Sequence, residues 1–442
     1  MRRWIPALAL IALATPDARA VELLRGPYLQ QVTPSSAIVV FETDESVQGE
    51  VRYGTNTELQ GSATGFAAQT QHEIALEDLT PDTTYHYAVL IADVPMSYGH
   101  TLTTAPPEGE PFRFVVFGDT RSNHDDHREV MAAIALEDFD ALLNTGDLVS
   151  RGDDLTDWDT FFEIEGPVID EVPLYPVVGN HDESGGAAVE FEAAFALPNV
   201  ELYYSFDLGN AHFVILDGYV NMVLACVYDE TLIDTCFDED QLAWLEADLA
   251  DTVSNPAIEH VFVLAHVGPY SSKSGRTGSA HMRYLLPMFE QYGVRAILSG
   301  HDHYYERGYS NNGLVYVITG GGGAPLYTIG EPSDDPHTVE YNDALNHYVL
   351  VEVDHETIRF SARDTDGVTF DELLLTVDPS GDPGDDDTTD DDPSADDPGS
   401  GVPLSESQPG CECGTARRGD GIGASLLPSF LLIALALRRR RG

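Results

Sequence analysis

The chain has 442 residues, 43% of them hydrophobic, too many for one small domain and enough to bury a sizeable core. Its 22 basic against 75 acidic residues give a formal charge of −53, which argues against nucleic acid or anionic membrane surfaces as partners of the folded part, because phosphate is bound there by clustered Lys and Arg. Arginine almost replaces lysine, Lys273 being the only one, and such an acidic surface suits a saline habitat.

The first 20 residues read as an export signal: Arg2 and Arg3, an apolar stretch from Trp4 to Leu13 too short to span a bilayer, then small residues at Ala18 and Ala20. From 21 to 107 short runs such as AIVVFET, EVRYG and TYHYAVLIA alternate apolar and polar residues between Gly, Pro and Asn turns, which predicts an all-β sandwich.

Residues 111–377 alternate β-prone runs with segments whose apolar residues recur every three or four positions, among them HREVMAAIALE, DWDTFFEIEGPVI, VEFEAAFAL, DEDQLAWLEADLADT and AHMRYLLPMFEQYG. A β-rich stretch follows, and the whole predicts an α/β sandwich of two packed sheets. Trp244 and Leu245 fall on the buried stripe of their helix. Five islands stand at the ends of apolar runs: GDTR with Asp119 and Arg121, GDLVSRG with Asp147, GNHD with Asn180 and His181, LAHVGPY with His266, and GHDHYYERG with His301 and His303. Strand ends that present carboxylate, amide and imidazole side chains at the carboxyl edge of a sheet are where ligands bind in open α/β folds. Neutral imidazoles suit transition metals, and a carboxylate can bridge two of them. The run Gly320–Gly323 lacks the Lys-Ser/Thr pair of a phosphate loop and reads as a tight turn allowing close backbone approach.

Cys226 and Cys236 flank a short polar insertion without metal-type spacing, which predicts a disulfide in an oxidising compartment. Residues 378–410 are mostly Asp, Pro, Gly, Ser and Thr, an acidic, self-repelling linker whose clusters lack the spacing of an EF-hand loop. In 411–442, Cys411 and Cys413 precede an apolar segment from Leu426 to Leu437 and a terminal cluster from Arg438 to Arg441.

The islands together resemble the calcineurin-like metallophosphoesterases, and GHDHYYER with SAHMRYLLPMFEQYGVRAILS before it resembles the purple acid phosphatase branch. LEDLTPDTTYHYAV resembles the tyrosine-corner region of fibronectin type III modules, and 411–442 a myxobacterial C-terminal sorting signal. The resemblance implies an α/β metallophosphoesterase domain behind a fibronectin type III-like sandwich. It implies two transition-metal ions (Fe, Mn or Zn) bridged by Asp147, one also held by Asp119 and His303, the other by Asn180, His266 and His301. It implies that His181 contacts the phosphoryl group or protonates the leaving oxygen. The implied function is hydrolysis of small phosphate monoesters by attack of metal-bound hydroxide. Phosphodiester hydrolysis is the nearest alternative, and a surface adhesion or scaffold protein with a degenerate first metal site is the non-enzymatic one. The implied location is the cell surface, outer membrane or exterior, with membrane attachment through the C-terminal segment or a lipid.

Two departures bear on the first metal. The general family has Asp-x-His where this chain has Arg121, and the purple branch has Tyr where it has Ser150, so no tyrosinate colour is expected. His124 or His127 could complete the shell, although His127 equally suits the first turn of a helix. Arg121 offers a donor fork suited to phosphate or a salt bridge to a neighbouring carboxylate. Lys273 and Arg276, in SSKSGRTG, belong either to a loop folded over the metals or to a solvated one.

Overall fold

The computed structural model describes residues 20–184, 188–199, 202–218, 239–329 and 337–377. The export segment, Cys226 and Cys236, the acidic linker and the C-terminal segment lie outside the described residues.

The alternating runs near the N-terminus become β1 (Leu23–Gln30), β2 (Ala37–Val47), β3 (Gly49–Gly54), β4 (Gly61–Thr64), β5 (Gln69–Leu76), β6 (Thr84–Ile91) and β7 (Val94–Thr103). They form two sheets, β1-β2-β5 and β4-β3-β6-β7. The two-residue period of a strand sends Val39 and Phe41 from β2, and Tyr87 and Val89 from β6, into one core with Val51 and Ile74. At the turn before β6, the Tyr85 hydroxyl accepts a hydrogen bond from the Thr80 amide at 3.0 Å.

The remainder runs β8 (Phe112–Phe117), α1 (His124–Ile134), β9 (Ala141–Asn144), α2 (Leu155–Ile169), β10 (Leu174–Pro176), α3 (Val189–Ala194), β11 (Tyr204–Leu208) and β12 (Ala211–Leu216). Then come α4 (Glu239–Thr252), β13 (His260–Val267), α5 (Ala280–Gln291), β14 (Val294–Gly300), β15 (Tyr305–Tyr309), β16 (Val315–Thr319), β17 (Thr338–Asn342), β18 (His347–Val353), β19 (Thr357–Asp364) and β20 (Thr369–Thr376). One sheet has the order β10-β9-β8-β18-β19-β20 and the other β11-β12-β13-β14-β16-β15-β17. Within them β8, β9 and β10 are parallel, as are β12, β13, β14 and β16, so both parallel blocks end in loops at their carboxyl edges.

Side-chain parity explains how two sheets pack and still carry helices. Phe213, Ile215, Phe262, Leu264, Ala296 and Leu298 point into the core shared with β8 and β18. Their neighbours Val214, Val261, Val263 and Ile297 point the other way, under Leu245 and Leu249 of α4 and Met282, Leu285 and Phe289 of α5. Trp244 does not follow Leu245 inward. It is only partly buried and packs at the rim against Tyr203, ring centroids 5.1 Å apart.

The sandwich is built into the α/β part rather than tethered to it. Tyr28 and Val40 belong to the same buried cluster as Phe114 and Trp158. The Tyr28 hydroxyl donates to the Ala194 carbonyl, Gln30 Nε2 to the Leu174 carbonyl at 2.9 Å, and the Tyr87 hydroxyl to the Asp170 carbonyl at 2.6 Å. Arg25 lies 4.5 Å over the Phe162 ring.

Candidate metal centre

Six side chains singled out by the islands converge at the carboxyl edges of the two parallel blocks. Asp119 follows β8, Asp147 follows β9, Asn180 follows β10, His266 lies at the end of β13, and His301 and His303 follow β14. Asp119, Asp147 and His301 sit at φ 58°, 57° and 68°, a left-handed conformation that Asp, Asn and His tolerate better than other side-chain-bearing residues. The bend turns each side chain off its strand axis and into the cleft. Close backbone approach is bought with glycine: a Cβ on Gly179 would meet the Asp147 nitrogen at 2.1 Å, and one on Gly322 the Gly118 carbonyl at 2.4 Å. The glycine run is thus the predicted tight turn, and it closes over the first strand end through Gly322 N to Gly118 O at 2.8 Å and Ala324 N to Asp119 O at 2.7 Å.

The hydrogen bonds fix which imidazole nitrogens face the cleft. His266 Nδ1 lies 2.8 Å from the Thr145 carbonyl and His303 Nδ1 2.9 Å from the Pro325 carbonyl. A carbonyl only accepts, so both Nδ1 atoms carry the proton and both Nε2 atoms present lone pairs. Those lone pairs face carboxylate oxygens: His266 Nε2 is 3.3 Å from Asp147 Oδ1, and His303 Nε2 is 3.3 Å from Asp119 Oδ1. Asp119 Oδ1 is buried and finds no donor among the described residues, while Oδ2 accepts from the His301 amide at 2.7 Å. His301 Nδ1 lies 3.1 Å from Asn180 Oδ1 and 3.3 Å from His266 Nε2.

Facing acceptors about 3 Å apart need positive charge between them, a proton on His266 Nε2, the Arg121 guanidinium beside His303, or a metal ion in place of either, and the charges show the same demand. Burial favours a neutral Asp147, yet His266 and His181 hold its carboxyl far below the usual carboxylate range. Burial likewise opposes a charge on His266, and Asp147 and Asp119 overcome it, pushing that imidazole up to about 9. Burial and the neighbouring His266 keep His301 well below its ordinary value. Asp119, Asp147 and His303 offer ligand atoms within 4.8 Å of one another, a first set. Asn180, His266 and His301, with the other oxygen of Asp147, make a second set.

The remaining sequence candidates divide. His181 Nδ1 lies 2.8 Å from the Ser150 carbonyl and its amide donates to Asp147 Oδ1 at 2.9 Å, which leaves Nε2 3.9 Å from Asp147 Oδ2. Arg121 takes the carboxylate of the two readings: Nε donates to Asp147 Oδ2 at 3.1 Å and Nη2 to His303 Nε2 at 3.3 Å. His127 does not complete a metal shell, because it is buried in the first turn of α1 with Nε2 2.8 Å from Glu165 Oε1. Ser150 stands 3.2 Å from Ser122, hydroxyl to hydroxyl. In the Lys273 loop, Lys273 and Arg276 turn inward while Ser274, Gly275 and Thr277 stay exposed. Lys273 Nζ lies 2.9 Å over the Tyr327 ring, Tyr327 stacks on His303 at 4.1 Å, and Arg276 pairs with Asp302.

Two contributors escape sequence reasoning. Asp182 is buried and accepts from the amides of Gly179 (2.8 Å), Asp147 (3.0 Å) and Val149 (3.2 Å), locking the second and third islands together. It stands beside His181 in the motif, but only the fold reveals that it turns back on the loop. Tyr327 follows the glycine run that the sequence singles out as a tight turn, but nothing in the sequence shows that its ring stacks on His303.

Residues 112–305 match the family model of calcineurin-like phosphoesterases, and residues 20–107 match a domain of unknown function, DUF7800. Purple acid phosphatase 22 of Arabidopsis thaliana is 27% identical over 311 residues, covering 63% of this chain and 67% of that protein. An uncharacterized protein of Mycobacterium tuberculosis is 28% identical over 306 residues, 56% of this chain and 57% of its own length. Among solved structures, a purple acid phosphatase from yellow lupin (Lupinus luteus) seeds superposes with TM-score 0.68 at 20% identity, covering 80% of this chain and 74% of that one. PhoD gives 0.63 at 12%, covering 82% and 90%. The converging carboxylates and imidazoles, the match of residues 112–305 to the calcineurin-like phosphoesterase model and the similarity to purple acid phosphatases together support a metal-dependent phosphatase hydrolase.

Proposed function

We propose that this chain is an exported, surface-retained phosphatase that hydrolyses phosphate monoesters at a two-metal centre bridged by Asp147. Asp119 and His303 would complete the first position, and Asn180, His266 and His301 the second. The observation that carries the reading is the buried convergence of Asp119, Asp147 and His303, with ligand atoms within 4.8 Å of one another, beside His266 Nε2 at 3.3 Å from Asp147 Oδ1. Two bound ions would neutralise phosphoryl charge and lower the pKa of water near neutral pH. The chain's own residues then do the positioning. Asp147 would serve both positions, and Asp182, accepting from the amides of Asp147, Val149 and Gly179, fixes the loop that carries it. His181, its Nδ1 committed to the Ser150 carbonyl, keeps Nε2 beside Asp147 at 3.9 Å, where it would protonate a leaving oxygen. The 3+4 strand sandwich with the Tyr85 to Thr80 bond supports a fibronectin type III-like reading of the N-terminal region.

Export rests on the basic and apolar N-terminus, and retention on the apolar segment and arginines at the far end. No helix among the described residues is long and apolar enough to cross a membrane. The deciding experiment is elemental analysis of the purified protein combined with a panel of monoester and diester substrates, repeated with Asp147→Asn. The variant should lose occupancy at both positions and all hydrolysis; full metal content with unchanged turnover would overturn the two-metal reading.

A further inference from the structure

We infer that Arg121 is a built-in cation of the first ligand set, competing with metal for Asp147 Oδ2 and for the His303 lone pair, so that the two positions load in a fixed order, the second before the first. The inference rests on the metal centre proposed above and adds a rule for how it fills.

The geometry is specific to one side of the cleft. Arg121 leaves the turn after β8 and its side chain is only 16% exposed. Nε donates to Asp147 Oδ2 at 3.1 Å, Nη2 to His303 Nε2 at 3.3 Å, and Nη1 to Ser122 Oγ at 3.2 Å. Because His303 Nδ1 is occupied by the Pro325 carbonyl, Nε2 has a single lone pair, and that lone pair already has a donor. Asp147 is divided in the same way: Oδ1 lies toward His266 and the His181 amide, Oδ2 toward Arg121.

A metal entering the second set meets Asn180, His266, His301 and Asp147 Oδ1, and has only a proton to displace from His266 Nε2, which solvent takes up. A metal entering the first set must break two guanidinium contacts, one of them charge-assisted to a buried carboxylate, and then sit beside the displaced positive charge. Each effect weakens first-set binding, together by about tenfold or more.

The test is a titration of the metal-stripped, full-length protein with zinc alone, followed by calorimetry and by elemental analysis after dialysis. The wild type should bind two equivalents in steps separated by about tenfold or more. Arg121→Gln should tighten the weaker step by a similar factor and leave the tighter one in place, while Arg121→Lys, which keeps a charge but not the fork, should fall between. In nitrogen-15 arginine spectra, the Arg121 Nε–H signal, assigned by its loss in Arg121→Gln, should persist through the first equivalent and shift with the second. Two steps of equal affinity in the wild type, or an Arg121→Gln variant whose weaker step is unchanged, would overturn the inference while sparing the metal centre. Failure of the folded wild type to bind zinc at all would overturn both.

Discussion

His181 and Asp182 are adjacent in sequence and do opposite things. With Nδ1 bonded to the Ser150 carbonyl, His181 has no lone pair committed to either ligand set. His181→Ala should therefore retain its metal and lose rate by on the order of 10² to 10⁴, the usual contribution of a positioned acid or base. Elemental analysis beside single-turnover kinetics separates the two quantities, and metal loss in that variant would reassign the residue. Asp182 satisfies three buried amides, and Asp182→Ala leaves all of them unpaired. Denaturant unfolding should show a loss of about 2–4 kcal/mol, since each abandoned buried amide is expensive. Zinc affinity should fall with it, because Asp147 and Gly179 lose their common anchor.

At the scale of elements, His212 shows how a strand is tied to a helix by charge. It lies on β12, with Nδ1 2.6 Å from Asp207 Oδ1 of β11 and Nε2 2.9 Å from Asp248 Oδ2 of α4. Burial opposes the imidazolium, but the two carboxylates overcome it and push the pKa from 6.5 up to about 9. A folded-state value above the unfolded one stabilises fully below pH 6.5, and the benefit fades as pH rises through 9. The stability gap between wild type and His212→Gln should thus be about 1–3 kcal/mol at pH 6 and close by pH 10, discounted for the half-exposed Asp207. A gap independent of pH would mean that the pair is not ionised.

Elements such as β8, β13 and α5 were legible in the sequence because their apolar residues repeat with the period of the structure they form. The convergence of Asp119, Asp147, Asn180, His266, His301 and His303 was legible because each follows such a run. β11, β15 and β17 were not singled out: β15, for instance, carries Glu306 and Arg307, whose polar partners, Tyr316 and Asp371, come from elsewhere in the chain. Arg121 and His127 could not be decided for the same reason, since Asp147 and Glu165 reach them only through the fold.

Across the whole molecule, the sandwich keeps a core of its own but lends Tyr28 and Val40 to the interior of the α/β part, so heat should unfold the two together. Tyr28→Ala removes a buried ring that packs on Phe162, ring centroids 4.8 Å apart, and should destabilise the protein by about 3–5 kcal/mol, lowering one common transition. Calorimetry that resolves a separate sandwich transition would contradict the shared core. The charge balance has a further result. Because arginine has displaced lysine everywhere else, Lys273 carries the chain's single ε-amine, partly exposed beside the Tyr327 ring that stacks on His303. Burial and Arg276 lower its pKa, enriching the neutral, nucleophilic form. Amine-reactive dyes therefore have one side-chain address in this protein, and it stands at the mouth of the cleft. Conjugation there yields an optical reporter of cleft occupancy with no residue engineered in.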